Sequence, residues 1–247
     1  MVFKMIRRKA SRKSARLSRN LNYGDVKEYY QSFYEQVVGE HAKGPMAYLS
    51  SYPHKLLEQP FPSNDEFVIL ELGCGQNEHF KFVANDFSRY YALDLIKPRQ
   101  VPTYPNFEFI EASATNIPLD NSSVNRVILT CLLLHLNDPE KVLLEIKRVL
   151  NSPGFVSIYV PTEPSLLLRL FRAISSKRHA KKLGYEGYDL FIARDHITYF
   201  SRILTLIRYH FDDFDISIRY RPFFVPFWNL NAVCVIQIVS RVKSTRI

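Results

Sequence analysis

Cysteine is scarce in this chain. Cys74, Cys131 and Cys234 are odd in number and far apart. No Cys-x-x-Cys and no Cys/His pair at metal-ligand spacing occurs, so a disulfide framework and a zinc site are both unexpected, and a reducing cytoplasm fits. Glycine is scarce too. The 8 glycines and 14 prolines are spread along 247 residues, which excludes repeats and low-complexity structure. No apolar run reaches the roughly 18–20 residues of a membrane span, and the N-terminus lacks the apolar stretch of a secretion signal.

Acid is missing from one segment. Residues 1–20 hold Lys4, Arg7, Arg8, Lys9, Arg12, Lys13, Arg16 and Arg19 and no Asp or Glu. Without these eight cations the formal charge of +9 falls to +1, so the body is nearly neutral and the basicity is an arm. Three readings of residues 1–20 remain open: a solvated, disordered arm, an arm that touches an anionic membrane surface or RNA, and an Arg- and Ser-rich transit peptide.

What is present is apolar periodicity, and 47% hydrophobic residues suffice for one sizeable core. Asp25–Val38 and Pro45–Leu57 read as helices, closed by Pro60 and Pro62, so residues 21–62 form an N-terminal helical region. Short apolar runs then alternate with helical patterns. Strands are expected at Phe67–Leu72, Tyr90–Leu95, Phe107–Glu111, Val124–Leu129 and Phe155–Val160. Helices are expected at His79–Asn85 and at Pro139–Leu150, the latter with Asp138 as its cap. This rhythm predicts a parallel sheet with right-handed crossovers. Ser165–Ile174 and Ser201–His210 read as helices, and Ile216–Arg221 and Ala232–Ser240 as an antiparallel edge hairpin. The expected fold class is α/β, Rossmann-like and doubly wound. Its sheet is seven-stranded and mostly parallel, within residues 63–247, and a cap segment lies at about 163–200.

The chemistry concentrates where the first strand opens into Gly73-Cys74-Gly75, with Glu71 two residues before. Glycines there let the backbone turn sharply and approach a ligand. Asp94, ending the next strand, can accept both hydroxyls of a ribose. A nicotinamide domain shares these features, but Glu78 stands where its third glycine belongs. A carboxylate at Glu71 also suits a cationic ligand better than a pyrophosphate.

Residues 66–160 resemble the class I, S-adenosylmethionine-dependent methyltransferase family, in particular its ubiquinone/menaquinone-type and small-molecule members. Asn77 stands at that family's third glycine. Ser113-Ala114-Thr115-Asn116-Ile117-Pro118-Leu119 is similar to its adenine-contacting segment, with Ser113 replacing an acid. Val124-Asn125-Arg126-Val127 is similar to its Phe-Asp-x-Val, and Leu134-His135-Leu136-Asn137-Asp138 follows its pattern. The resemblance implies S-adenosyl-L-methionine as cofactor, held by Glu71, Gly73, Gly75, Asp94, Ser113 and Ala114, with Tyr30 from an N-terminal lid. It implies methyl transfer to an oxygen or nitrogen of a small-molecule acceptor, with no metal needed. The segment from Tyr188 to Ile197 is similar to methyltransferases that modify surface polysaccharides and lipids, which points to a sugar or lipid-linked glycan intermediate. RNA methylation and a non-catalytic, methyltransferase-like binding protein are the competing readings.

His135 and His196 follow the fourth and fifth strands, on the side where such sheets bind ligands, and are the catalytic candidates. A packing role is the competing reading for each, and Asp195 shares it. Glu145 and Arg148, spaced i,i+3, are expected to form a structural ion pair. The cations Lys177, Arg178, Lys181 and Lys182 are either a solvated face or contacts to phosphate or lipid headgroups, which would place the protein at a membrane periphery. The oligomeric state is left open.

Overall fold

The computed structural model describes residues 45–58, 66–83, 86–182 and 188–241. The basic arm, the expected helix at 25–38, Tyr30 and the Pro60/Pro62 segment lie outside the described residues.

Seven strands form one sheet in the order β3-β2-β1-β4-β5-β7-β6. They are β1 (Val68–Leu72), β2 (Arg89–Asp94), β3 (Phe107–Glu111), β4 (Val124–Thr130), β5 (Leu150–Pro161), β6 (Phe214–Arg221) and β7 (Val233–Ser240). The first five are mutually parallel, while β7 pairs antiparallel with both β5 and β6. The chain order reverses between β1 and β4, so the ligand crevice of such a sheet opens at the carboxyl ends of those two strands. This is the expected Rossmann-like architecture.

The period of two along each strand sorts side chains to two faces. Leu70, Leu72, Val127, Leu129, Val156 and Ile158 face one way. They are covered by α2 (Pro139–Val149), through Val142 and Ile146, and by α6 (Phe200–His210), through Ile203 and Ile207. Asp138 caps α2 by accepting from the Lys141 N–H, as its sequence predicts. The opposite face carries Ile69, Tyr90, Ala92 and Ile128 against Leu56 and Leu57 of α1 (Pro45–Leu57).

That second face also buries charge. Arg126 of β4 is fully buried and forms a two-pronged bond to Glu58, with Nη1 at 2.9 Å from Oε2 and Nη2 at 2.7 Å from Oε1. Its Nη2 also donates to Leu57 O, as does Gln237 Nε2, while Arg219 Nη2 donates to Leu56 O. Strand side chains thus satisfy the last carbonyls of α1 and meet the negative end of its dipole. His79 closes the set, 3.0 Å from Glu58. Burial alone would raise the Glu58 carboxyl, but its bonds to His79 and Arg126 hold it at about 2.

Some boundaries differ from expectation. The helix anticipated at His79–Asn85 is a single 3-10 turn, Phe80–Phe82, with residues 84–85 not described. Phe80 there packs edge-on against Tyr90 and Phe107, ring contacts that fix a short turn against β2 and β3. Between β5 and α6 lie three helices, α3 (Leu166–Ile174), α4 (Ser176–Lys182) and α5 (Tyr188–Asp195). The basic cluster is therefore helical.

Candidate active site

Gly73 (φ 68°), Gly75 (φ 54°) and Asn77 (φ 59°) all take the left-handed backbone that the turn after β1 requires. Asn77 adopts it in place of the family's third glycine, and its Nδ2 donates to Gln100 O at 3.1 Å. A Cβ built on Gly73 would lie 2.8 Å from Leu132 Cδ1, whereas one on Gly75 would meet nothing within 4 Å. The first glycine thus lets β1 approach the segment after β4, and the second leaves an open cradle.

Asp94 sits beside that cradle. Its Oδ2 accepts the Gly75 N–H at 2.9 Å and its Oδ1 accepts the Ile96 N–H at 3.0 Å. Each oxygen keeps a lone pair for a further donor. Glu71 is fully buried, and its Oε2 accepts the Tyr90 hydroxyl at 2.8 Å. Its Oε1 has no partner among the described residues, and burial pushes the carboxyl up to about 7. The open glycine cradle, the two-oxygen acceptor and the orphaned buried carboxylate suit a ligand with a ribose and a cationic tail, so the residues fit S-adenosylmethionine.

Ser113 and Ala114 follow β3. The Ser113 hydroxyl is engaged locally, 2.8 Å from Thr115 Oγ1 and accepting the Thr115 N–H, and Ala114 is buried in the core. Glu145 and Arg148 do pair, at 2.7 Å. They also grip this loop, with Ile117 N–H donating to Glu145 and Arg148 donating to Ile117 O and Leu119 O. Asn125 accepts the Val68 N–H at 2.9 Å, a tie between β4 and the start of β1.

On the other side of the crevice the fold brings together two distant histidines. Cys131, in the left-handed conformation, turns the chain after β4 into the Leu132–His135 turn. His135 Nδ1 lies 2.8 Å from Asp195 Oδ1, at the end of α5, and the His135 and His196 rings meet edge to face at 4.9 Å. Glu163, just past β5, bonds His196 Nδ1 and accepts from Arg172 of α3 at 2.6 Å. Sequence reasoning placed Arg172 on the flank of the cap helix but missed Glu163, its partner; the signal was an acid immediately after the fifth strand, in Val160-Pro161-Thr162-Glu163. Burial drives His135 down to about 4 and Asp195 up to about 7, so at neutral pH the imidazole is uncharged while the carboxyl gives up its proton as pH rises through that value. Burial opposes ionisation of Glu163, yet His196 and Arg172 bring it to about 2. His135, Asp195 and His196 offer ligand atoms within 4.8 Å of one another. Arg172 Nη2, 3.3 Å from His196 Nδ1, places a fixed positive charge there that opposes a divalent cation.

Three substitutions test the cradle. Gly75→Ala should lower the thermal midpoint only through the left-handed strain, about 1–2 kcal/mol, that a side chain incurs at either glycine. It should weaken donor binding about 5- to 150-fold, the effect of a 1–3 kcal/mol steric intrusion. Gly73→Ala should lower the midpoint further, because Leu132 must move as well. Calorimetric titration beside thermal melts separates the two, and the same loss in both variants would remove the distinction. Asp94→Ala should weaken donor affinity by about 1.5–3 kcal/mol in a folded protein.

Residues 70–158 match a family model described as a methyltransferase domain. No curated protein matches the chain. Among solved structures, a Listeria monocytogenes protein described provisionally as an S-adenosylmethionine-dependent methyltransferase aligns at 14% identity and TM-score 0.55, over 78% of this chain and 100% of its own. A Haloferax volcanii protein solved with the Trm112 methyltransferase activator aligns at 15% and 0.57, over 84% and 98%. An S-adenosylmethionine-dependent methyltransferase from Aquifex aeolicus aligns at 13% and 0.52, over 80% and 94%. At these identities the structures attest the fold, and the matched family model attests the domain. Residues 70–158 thus match a methyltransferase domain model, and the chain shares its fold with proteins described as S-adenosylmethionine-dependent methyltransferases.

Proposed function

We propose that the protein methylates an oxygen or nitrogen of a small-molecule acceptor, with a sugar or lipid-linked glycan intermediate as the acceptor class. The observation that carries this reading is the His135–Asp195 pair at the carboxyl edge of the sheet. Bound there, the cofactor supplies a methyl group activated by its sulfonium. Gly73, Gly75, Asp94 and Glu71 hold and orient it, with Ser113 and Ala114 lining the loop beyond β3.

His135 is the base in this reading. At neutral pH its imidazole is uncharged, Nδ1 faces Asp195, and Nε2 has no partner among the described residues. With Nδ1 carrying the proton that Asp195 accepts, the lone pair on Nε2 can take the proton of an acceptor hydroxyl as its oxygen is methylated. Asp195 fixes that tautomer. His196 is a positioning residue, since its Nδ1 is held by Glu163 and its ring packs on His135. Asn77 keeps the turn intact and Asn125 serves a strand contact, so these two departures from the family pattern speak for a working enzyme.

Incubation of the protein with labelled donor and cell fractions tests the reading, with mass spectrometry of the labelled product. A methylated, organic-extractable or sugar-containing small molecule is the expected product. Label in RNA would replace the acceptor class. Donor binding without any transfer, across fractions that support a control enzyme, would make this a binding protein.

A further inference from the structure

The helix that closes the acceptor site is built inside out on its outer side. Leu168, Phe171 and Arg172 of α3 point inward, and Arg172 holds Glu163 beside the histidines. At 100° per residue the outward face comprises Arg169, Ala173, Leu166, Leu170 and Ile174, four of five apolar. A surface helix ordinarily presents charge there.

A second apolar element abuts it. The loop joining β6 to β7 reads Pro222-Phe-Phe-Val-Pro-Phe-Trp-Asn-Leu230, without a single charge. Asn229 Oδ1 of this loop accepts the Leu166 N–H at 2.7 Å, at the first turn of α3. Leu166, Leu170 and Ile174 of the helix and Phe223, Phe224 and Phe227 of the loop are each more than half exposed. Monomeric proteins rarely leave so many large apolar side chains together in water.

Charge along the helical segment has one sign. Residues 166–182 contain Arg169, Arg172, Lys177, Arg178, Lys181 and Lys182 and no acid. The four cations of α4 are exposed, and Lys177 pairs with Asp189 while the others extend from the end of the apolar stripe. An apolar face with aromatic anchors, edged by cations and free of acids, complements the acyl boundary and the phosphates of an anionic bilayer. A protein partner would not require cations without acids along the whole helical segment. No helix of the described residues is long and apolar enough to cross a membrane.

We propose that the outer face of α3 and the β6–β7 loop form a membrane-docking surface, seating the enzyme on an anionic lipid layer. The opposite side of α3 meets the Glu163–His196–His135 cluster, so docking brings the acceptor site next to the headgroups. This is the arrangement that a lipid-anchored acceptor needs. The docking stands independently of the acceptor reading above, because it is measured without turnover.

Trp228, the single tryptophan of the chain, lies within the loop and reports on insertion. The full chain is mixed with vesicles of phosphatidylcholine alone or with about 30% phosphatidylglycerol, and flotation and Trp228 emission are recorded. Flotation with the anionic vesicles, a blue shift and quenching by bromine-labelled acyl chains are expected. Leu170→Glu and Phe224→Glu should each weaken partitioning about tenfold or more, with the thermal midpoint and donor affinity retained because both side chains are exposed. Reversing the charge of α4, through Arg178→Glu with Lys181→Glu and Lys182→Glu, should weaken binding to the anionic vesicles. Flotation that is lost on deleting residues 1–20 but indifferent to Leu170→Glu and Phe224→Glu would assign the binding to the arm and overturn the proposal. A concentration-dependent dimer dissociated by Leu170→Glu, with no flotation, would overturn it in favour of a second copy.

Discussion

His135→Ala is expected to lower kcat by about 100- to 10,000-fold, the usual contribution of a positioned general base, while donor affinity stays within about twofold of its starting value. The separation arises because His135 lies after β4 beside Asp195, whereas in the proposed reading the donor is held by the glycine turn and Asp94, which are bonded to each other elsewhere in the crevice. Asp195→Asn should come close to the same loss, since an amide no longer selects the tautomer that leaves Nε2 free. The pH profile gives an independent reading. Protonation of His135 removes the base, and protonation of Asp195 removes its orienting charge. Burial sets these at about 4 and about 7, and the two protons belong to the pair. The rate should therefore climb as pH rises toward 7 and level off above it. In Asp195→Asn the upper part of that climb should vanish. An unchanged kcat in His135→Ala would leave alignment as the whole of catalysis, and an unchanged profile in Asp195→Asn would detach Asp195 from the reaction.

Arg126→Ala is expected to destabilise the fold by about 3–5 kcal/mol, the range for removing one partner of a buried ion pair. The substitution strands the Glu58 carboxylate, with His79 its remaining partner, and deprives Leu57 O of one of two donors. For a domain of this size the thermal midpoint should fall by about 6–20 °C. Replacing both partners, Arg126→Met with Glu58→Leu, should recover much of the loss, because the penalty lies in the unpaired charge. The pair also carries a pH signature. The folded-state value of Glu58 is depressed below its ordinary 4.5, so its stabilisation is fully present above that value and is lost as pH falls toward about 2. Arg126→Ala should flatten that limb of the stability curve. A midpoint that moves less than about 2 °C would mean that water reaches Glu58 freely.

Much of the sheet was legible because strands buried on both faces announce themselves as apolar runs stopped by Gly, Pro or Asp. Phe107–Glu111 and the helix Pro45–Leu57 match to the residue. β5 starts five residues early, at Leu150, because Leu150 pairs with Val124 directly after α2, across a bulge that Asn-Ser-Pro conceals. The helix α5 went unread because its inward positions, Tyr188, Phe191 and Asp195, include a buried acid where the pattern wants a hydrophobe. Arg126 likewise reads as a flaw in an apolar strand; only the register reveals that it points at the end of α1. The glycine turn depends on local spacing, so the meeting of Gly73 and Gly75 with Asp94 was legible in the sequence. The His135–Asp195–His196 cluster depends on how α5 returns across the sheet. The candidate residues were visible, their meeting was not.

In the proposed reading, Glu71 gives the donor site a proton to exchange. Held at about 7 by burial, its carboxyl is largely protonated in mildly acid solution. A cation arriving in the turn favours the ionised form, so binding below pH 7 expels a proton into the buffer. Affinity then rises with pH across that window and becomes level once Glu71 is ionised beforehand. The heat of binding should differ between buffers of unequal ionisation enthalpy, and Glu71→Gln should abolish the difference. With Glu71 in the donor site, capture of the methyl donor would be an ion exchange, its strength following the acidity of the surrounding solution.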